Sequence, residues 1–189
     1  EAGVSREFPH APRSFYEVDA STLARRLLGQ RLVRAFEGSI LSGIIVETEA
    51  YVGVRDAASH AYKGRRTARN ESMYARGGTA YVYFTYGMHF CFNIVCGDVD
   101  DPQAVLVRGL DVVEGADEMR RFRARGNLPE SELCRGPARL CRATAIDRKL
   151  DGEDLTESDR IWVELVRERA VPVRQLVRCA RIGIGARAG

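Results

Sequence analysis

The sequence predicts an α+β fold: one mixed domain built on antiparallel strands, with a protruding hairpin and helices around the sheet. Three observations point there. Residues 31–51 and 79–95 are rich in β-branched and aromatic residues, and a glycine-containing turn breaks each stretch once, which reads as two hairpins. Amphipathic helical patterns lie before the first hairpin and between the later strands, mixing both element types in one chain. At 189 residues, with 45% hydrophobic and 29% charged residues, the chain is long enough for one sizeable core. The expected organisation is a flexible lead-in at residues 1–13 and a single domain at 14–189.

The elements follow in order. Residues 1–13 hold Pro9 and Pro12 and no periodic apolar pattern. Asp19 or Ser21 can cap a short helix that carries Leu23, Leu27 and Leu28 on one face and stops at Gly29. Strands are expected at 31–36 and 40–51, joined at Glu37-Gly38-Ser39. The second carries Ile44-Ile45-Val46-Glu47-Thr48-Glu49-Ala50-Tyr51. Alternation along a strand puts Ile45, Glu47, Glu49 and Tyr51 on one face and Ile44, Val46, Thr48 and Ala50 on the other. Same-face neighbours sit about 6.6 Å apart at ~3.3 Å rise per residue, so each carboxylate needs its own partner. Such a strand either borders a sheet with solvated acids or leaves the core to deliver a carboxylate to a cleft.

Residues 52–78 are aperiodic and hold His60 and the run Lys63-Gly64-Arg65-Arg66-Thr67-Ala68-Arg69-Asn70. Four cations within seven residues read as a phosphate-binding loop or as a solvated charge run. An unstructured loop of about 25 residues is uncommon in a compact domain and is usually functional where it occurs. In the second hairpin Tyr86-Gly87 form the turn. A large aromatic at a tip has little core to enter, so Tyr86 packs on a neighbouring loop or serves as a wedge for a partner. Asn93 interrupts an apolar strand, where a buried amide must find hydrogen-bond partners.

A strand at 104–110 is apolar apart from Arg108, a charge that needs a partner, and Glu49 is the natural one. An arginine-rich helix is expected at 112–125. Another starts at Pro137, runs to about Ala145, and has Arg135 and Arg139 beside its start, where a phosphate can be received. Strands at 161–166 and 177–184 complete the fold.

Composition narrows the function classes. No apolar run approaches membrane-spanning length and nothing resembles a cleavable signal peptide. Of 29 basic residues only Lys63 and Lys149 are lysine, which leaves 27 arginines at a net charge of +3. Arginine's fork suits bidentate phosphate contacts, although a genome-wide base bias enriches it as well. Cys91, Cys96, Cys134, Cys141 and Cys179 are odd in number and form no C-x-x-C pair, so reduced, mostly buried thiols of a cytosolic protein are expected, with no metal site.

The unusual residues form a set: a strand acid with a same-face tyrosine, a nearby histidine, a tyrosine-rich hairpin with an exposed tip, a strand asparagine, a strand arginine and a basic loop. An enzyme acting on a base in a duplex must extrude it, stack it on aromatic rings and fill the gap with an inserted side chain. A carboxylate beside such a pocket can activate water against the sugar carbon. The motifs Glu47-Thr48-Glu49-Ala50-Tyr51, Ser59-His60, Met73-Tyr74, Tyr81-Val82-Tyr83, Tyr86-Gly87-Met88, Phe92-Asn93-Ile94, Val107-Arg108 and Arg135-Gly136-Pro137 together resemble the alkyladenine (N-methylpurine, 3-methyladenine) DNA glycosylase family. The resemblance runs in the family's order from about residue 14 to 185.

The resemblance implies a single mixed α+β domain with a curved antiparallel sheet, and a monofunctional glycosylase of base excision repair. It implies double-stranded DNA containing damaged purines as the partner, a monomer, no membrane, no metal or organic cofactor, and a cytoplasmic, nucleoid or nuclear location. Glu49 would be the general base, with Arg108 and the backbone carbonyl of Ile182 positioning the water. Tyr51 would stack on one face of the base, with His60 and Tyr83 on the other. Asn93 would border the edge where guanine carries its amino group, Tyr86 would enter the minor groove, and Arg65 would contact phosphate. Glu47 is then a supporting acid, Tyr81 and His89 packing, and Met73 a gap filler. Two features depart from the family pattern: the chain stops at Gly189, and the loop segment Ala68-Arg69-Asn70-Glu71-Ser72 differs from the commoner one, with Glu71 an acid where DNA is expected. A binding protein that recognises altered bases without cleaving them is a competing reading, separated by its lack of need for Glu49. A hydrolase of free sugars or nucleosides using Glu47 and Glu49 as a pair is another, weakened because same-face acids do not flank a bond.

Overall fold

The structure, a computed structural model, describes residues 9–182. Its six strands are β1 (Arg31–Phe36), β2 (Ser39–Tyr51), β3 (Ala80–Thr85), β4 (His89–Cys96), β5 (Gln103–Glu114) and β6 (Ile161–Glu164). They form one sheet in the order β3-β4-β5-β2-β1-β6. Every neighbouring pair is antiparallel, and the sheet curls into a half-barrel. Five helices accompany it among the described residues: α1 (Arg13–Tyr16), α2 (Ala20–Leu27), α3 (Ala116–Phe122), α4 (Glu130–Leu133) and α5 (Pro137–Ala143). None is long and apolar enough to cross a membrane.

Strand alternation divides the interior. Ala80, Val82, Phe92 and Ile94 join Leu23, Leu27, Leu140 and Cys141 in the main core. Tyr81 and Val95, on the opposite face of the same hairpin, pack with Ala61, Met73, Tyr74 and Ala104 in a smaller cluster that Tyr51 and Tyr83 border. The two faces of one hairpin thus pack into two separate clusters.

Local chemistry explains the element ends. Asp19 caps α2, its carboxylate accepting from the Thr22 N–H at 3.0 Å and the Thr22 hydroxyl at 2.6 Å. Both hairpins turn through two residues of positive φ, Glu37-Gly38 at 50° and 79° and Tyr86-Gly87 at 51° and 66°, the backbone of a type I′ turn.

The sequence expectations need several corrections. From Pro9 onward the lead-in is packed: Ala11 is buried and its N–H donates to the Val163 carbonyl, while Pro9 accepts from Leu165. The helix expected at 112–125 begins only at Ala116, because β5 keeps pairing with β2 as far as Glu114. Residues 177–182 join no strand, and 183–184 lie outside the described residues. The segment 52–78 is not structureless: it holds 3₁₀ turns at Tyr62–Gly64 and Glu71–Tyr74. Cys91, Cys96, Cys134 and Cys141 are buried free thiols, and Cys179 is exposed.

Candidate active site

Strands β2 and β5 build the centre of the site through two offsetting irregularities. Ile45 pairs with Leu110 and Glu47 with Gly109, which leaves Val46 as an extra residue on β2; Thr48 pairs with Val107, which leaves Arg108 extra on β5. The bulge changes the expected alternation. Ile45 and Ala50 pack in the main core and the Thr48 hydroxyl donates to the Ala24 carbonyl of α2 at 2.9 Å. Glu47, Glu49 and Tyr51 share the other face, so Ile45 is not on the acidic side. The extra residue on β5 swings the Arg108 guanidinium to both acids: Nε donates to Glu47 at 3.1 Å and an Nη to Glu49 at 3.2 Å. The expected Glu49–Arg108 pair is present, and Glu47 holds the second edge of the same guanidinium.

Glu49 is 5% exposed, and its other oxygen accepts from the Tyr51 hydroxyl at 2.5 Å. Burial, and then the hydrogen bond to Glu49, push the Tyr51 hydroxyl well above the usual tyrosine range, which makes Tyr51 the donor. One oxygen of Glu49 therefore faces a cation and the other a phenol.

Beyond Tyr51 lies a cavity of about 30 Å³ lined by Tyr51, Ala58, His60, Met73, Tyr81, Tyr83 and Asn93. All four residues expected at a base converge here. The His60 ring meets Tyr83 edge to face at 4.5 Å, and its Nδ1 lies 2.8 Å from the Tyr81 hydroxyl. Burial of the ring against these tyrosines, and then the charge of Arg69, depress the His60 pKa. Asn93 is 3% exposed and donates from Nδ2 to the Tyr81 carbonyl at 3.1 Å, which fixes its amide at the cavity wall. A space of this size holds about one water.

On the other side of Glu49 a larger cavity, about 570 Å³, is lined by Glu47, Glu49, Arg108, Arg25, Arg178, Arg181 and Ile182 among others. Ile182 therefore lies in the same cavity as the acid and arginine with which it was expected to act. Next to it, Arg181 grips Asp56 with both nitrogens at 2.6 and 2.9 Å, and its guanidinium lies 5.2 Å from the centre of the Tyr51 ring. Burial alone would raise the Asp56 pKa; the Arg181 fork and the Ala58 and Val52 N–H groups outweigh it and hold the carboxyl below the usual range.

The basic loop is organised by buried Asn70, whose side chain donates to the His60 and Arg65 carbonyls and accepts from the Thr67 N–H and hydroxyl. Its four cations are not equivalent. Arg66 is bound to Glu71 and to Asp100, so Glu71 is turned into an ion pair, and Arg66 is not free for a ligand. Arg69 donates to the Phe84 carbonyl of the hairpin. Among the described residues Lys63 and Arg65 pair with no carboxylate. With Arg69 they line a cleft of about 930 Å³ that shares His60 and Tyr81 with the aromatic cavity. At the tip of the β3–β4 hairpin Tyr86 is 82% exposed and Met88 67%. His89, expected in packing, is exposed beside them. A non-glycine residue in the left-handed region costs of order 1 kcal/mol or more, so Tyr86 is held there against its own preference.

Sequence reasoning missed three members of this site. Tyr81 was read as core, and it is buried, but its hydroxyl also orients His60; the shared face of Tyr81 and Tyr83 was the available signal. Asp56 and Arg181 had no signal, because their pairing spans 125 residues of sequence. Among the described residues no three His, Cys, Asp or Glu side chains converge on a point where a metal could bind.

The chain is similar to known proteins over most of its length. The family model for methylpurine-DNA glycosylase matches residues 14–188. A putative 3-methyladenine DNA glycosylase of Carboxydothermus hydrogenoformans is 46% identical over 175 residues, covering 93% of this chain and 88% of that protein. One from Bacillus cereus is 46% identical over 162 residues, covering 84% and 78%. The DNA-3-methyladenine glycosylase of Mus musculus is 43% identical over 179 residues, covering 90% of this chain and 53% of the mouse protein, about half its length.

Proposed function

We propose, for a chain that belongs to the methylpurine-DNA glycosylase family, that it flips alkylated or deaminated purines out of duplex DNA and hydrolyses the N-glycosidic bond without a lyase step. It is a DNA glycosylase of the 3-methyladenine type and acts on DNA. The observation that carries the finer reading is the position of Glu49: a buried carboxylate between an arginine-lined cavity and an aromatic one, bonded to a residue of each.

In this reading the extruded purine stacks on Tyr51, with His60 and Tyr83 on its other face and Asn93 at its edge. Ring stacking is tolerant of which purine is present, so selection falls to the polar groups at the edges. A water between Glu49, Arg108 and the Ile182 carbonyl loses its proton to Glu49 as its oxygen bonds to the sugar carbon, and the base leaves with the bond's electron pair. Arg108 holds the carboxylate while Glu47 holds Arg108. Tyr86, at the exposed tip, fills the gap in the stack, and Arg65 and Lys63 contact the lesion strand's phosphates. The chain works as a monomer on nucleoid or nuclear DNA.

The test is incubation with duplexes each carrying one 3-methyladenine, 7-methylguanine, hypoxanthine or ethenoadenine, followed by alkali. Cleavage at the lesion is expected. Tight lesion binding with no abasic site would make the protein a recognition module, and release from free nucleosides would make it a nucleoside hydrolase.

A further inference from the structure

Residues 168–182 follow the last strand with a single 3₁₀ turn, Val173–Gln175, and no sheet pairing. Among the described residues, the hydrogen bonds and ion pairs that tie this tail to the rest of the molecule come from the Arg181 side chain: two to Asp56 and one to the Ala50 carbonyl at 3.4 Å. Asp56 is itself fixed. Its side chain is 3% exposed, and its carboxylate also accepts from the Val52 N–H at 3.2 Å and the Ala58 N–H at 3.0 Å. Four donors on one buried carboxylate form a rigid socket, and the planar fork of arginine fills it in a single orientation.

This anchor touches both halves of the site. Ala50 and Tyr51 are consecutive on β2, and the guanidinium that reaches the Ala50 carbonyl lies 5.2 Å from the Tyr51 ring centre. The next residue in the chain, Ile182, lines the cavity of Glu49 and Arg108. We propose that Arg181, locked into the Asp56 socket, is a positioning residue for base release, setting the place of the Ile182 backbone over Glu49 and fixing the Tyr51 ring from behind. The inference rests on the glycosylase reading above and adds to it a requirement that neither the acid nor the aromatic pocket alone imposes. Displacement of a water-holding carbonyl by about 1 Å is enough to cost on the order of 100-fold in rate, so a loosened tail lowers chemistry before it lowers binding.

The experiment compares wild type, Arg181→Met, Arg181→Lys, Asp56→Asn and the double variant Asp56→Asn/Arg181→Met in the full chain. The readouts are single-turnover hypoxanthine release, equilibrium binding to a duplex with an uncleavable abasic analogue, and tryptic cleavage after Arg178 without DNA. Arg181→Met is expected to lower the release rate roughly 10- to 100-fold with Kd changed less than about threefold. Cleavage after Arg178 speeds up several-fold as the tail undocks. Arg181→Lys does not restore the rate, because a point charge cannot fill a socket shaped for a fork. The double variant is no slower than the worse single one, since both remove one interaction. Wild-type release rates in Arg181→Met, full rescue by lysine, or a rate loss matched by an equal loss of binding overturns the proposal. Should Arg181→Met fail to fold, Arg181→Lys and Asp56→Asn decide by the same criteria. A wild-type chain that releases no base counts against the glycosylase reading instead, and the cleavage readout then judges the docking role alone.

Discussion

The two cavities that meet at the Glu49–Tyr51 hydrogen bond are held together by different physics. On the Glu49 side, charged side chains fix one another: Arg108 spans Glu47 and Glu49, and Arg181 spans the short distance to Asp56. On the Tyr51 side, rings and one amide do the holding, with His60, Tyr81 and Tyr83 in mutual contact and Asn93 bonded to backbone. Ion pairs of this kind tolerate little change in length or charge, whereas an aromatic wall accepts a range of flat partners. In the glycosylase reading proposed above, the division places a fixed reaction geometry next to an adaptable recognition surface. Damage to the first side should show in rate, and damage to the second in which base is released.

The largest expected effect is on the charged side. Glu49→Gln should lower single-turnover release by about 10²–10⁴ while lesion-DNA binding stays near wild type, because the amide keeps the shape but cannot take the water's proton. Glu47→Gln should be milder; if it is the dead variant and Glu49→Gln keeps its rate, the roles of the two acids are reversed. The bond between the cavities comes next. Tyr51→Phe keeps the ring and deletes the donor to Glu49, and the loss of a hydrogen bond to a charged group, about 1.5–3 kcal/mol, corresponds to roughly 10- to 100-fold in rate. Unchanged release in Tyr51→Phe would show that the two sides work independently.

At the hairpin tip, outside both cavities, Tyr86→Ser should reduce release from stably paired lesions more than from mismatched ones if Tyr86 inserts, since insertion would offset an unstacking cost of a few kcal/mol that is smaller for a loose pair. Equal losses on both duplexes would assign Tyr86 to packing. Asn93→Ser should raise release of mispaired guanine relative to hypoxanthine by about tenfold, measured on duplexes differing only in the target base. A constant ratio in the folded variant would make Asn93 a structural amide. The smallest effect belongs to the loop: Arg65→Ala should weaken binding to all duplexes alike and lower the log Kd against log salt slope by about one unit. An unaltered slope would leave Lys63 as the loop's phosphate contact.

Most of this division was readable along the chain where partners are close in sequence. The acids Glu47 and Glu49, Tyr51, the Tyr86-Gly87 turn and the Tyr81/Tyr83 pair all follow from a period of two and from turn chemistry, which are local rules. What the local rules got wrong is also local in origin: the alternation that placed Ile45 with the acids fails at Val46, because a bulge inserts a residue without any composition signal. The loop offered four cations of similar appearance, and only tertiary contacts with Asp100 and Phe84 separate the occupied Arg66 and Arg69 from the open Lys63 and Arg65.

The sequence by itself determined the antiparallel hairpins, the acid-bearing strand, the exposed tyrosine at a tip and the family motifs, because each depends on backbone preferences and side-chain spacing within a few residues. Only the tertiary structure decided that Arg108 serves two acids, that Asn70 ties the basic loop to His60, that Tyr81 orients His60, and that Asp56 receives Arg181 from the far end of the chain. The reason is physical: a buried charge or amide must be satisfied, but which group satisfies it depends on which distant segments the core brings within about 3 Å, and no local preference records that distance.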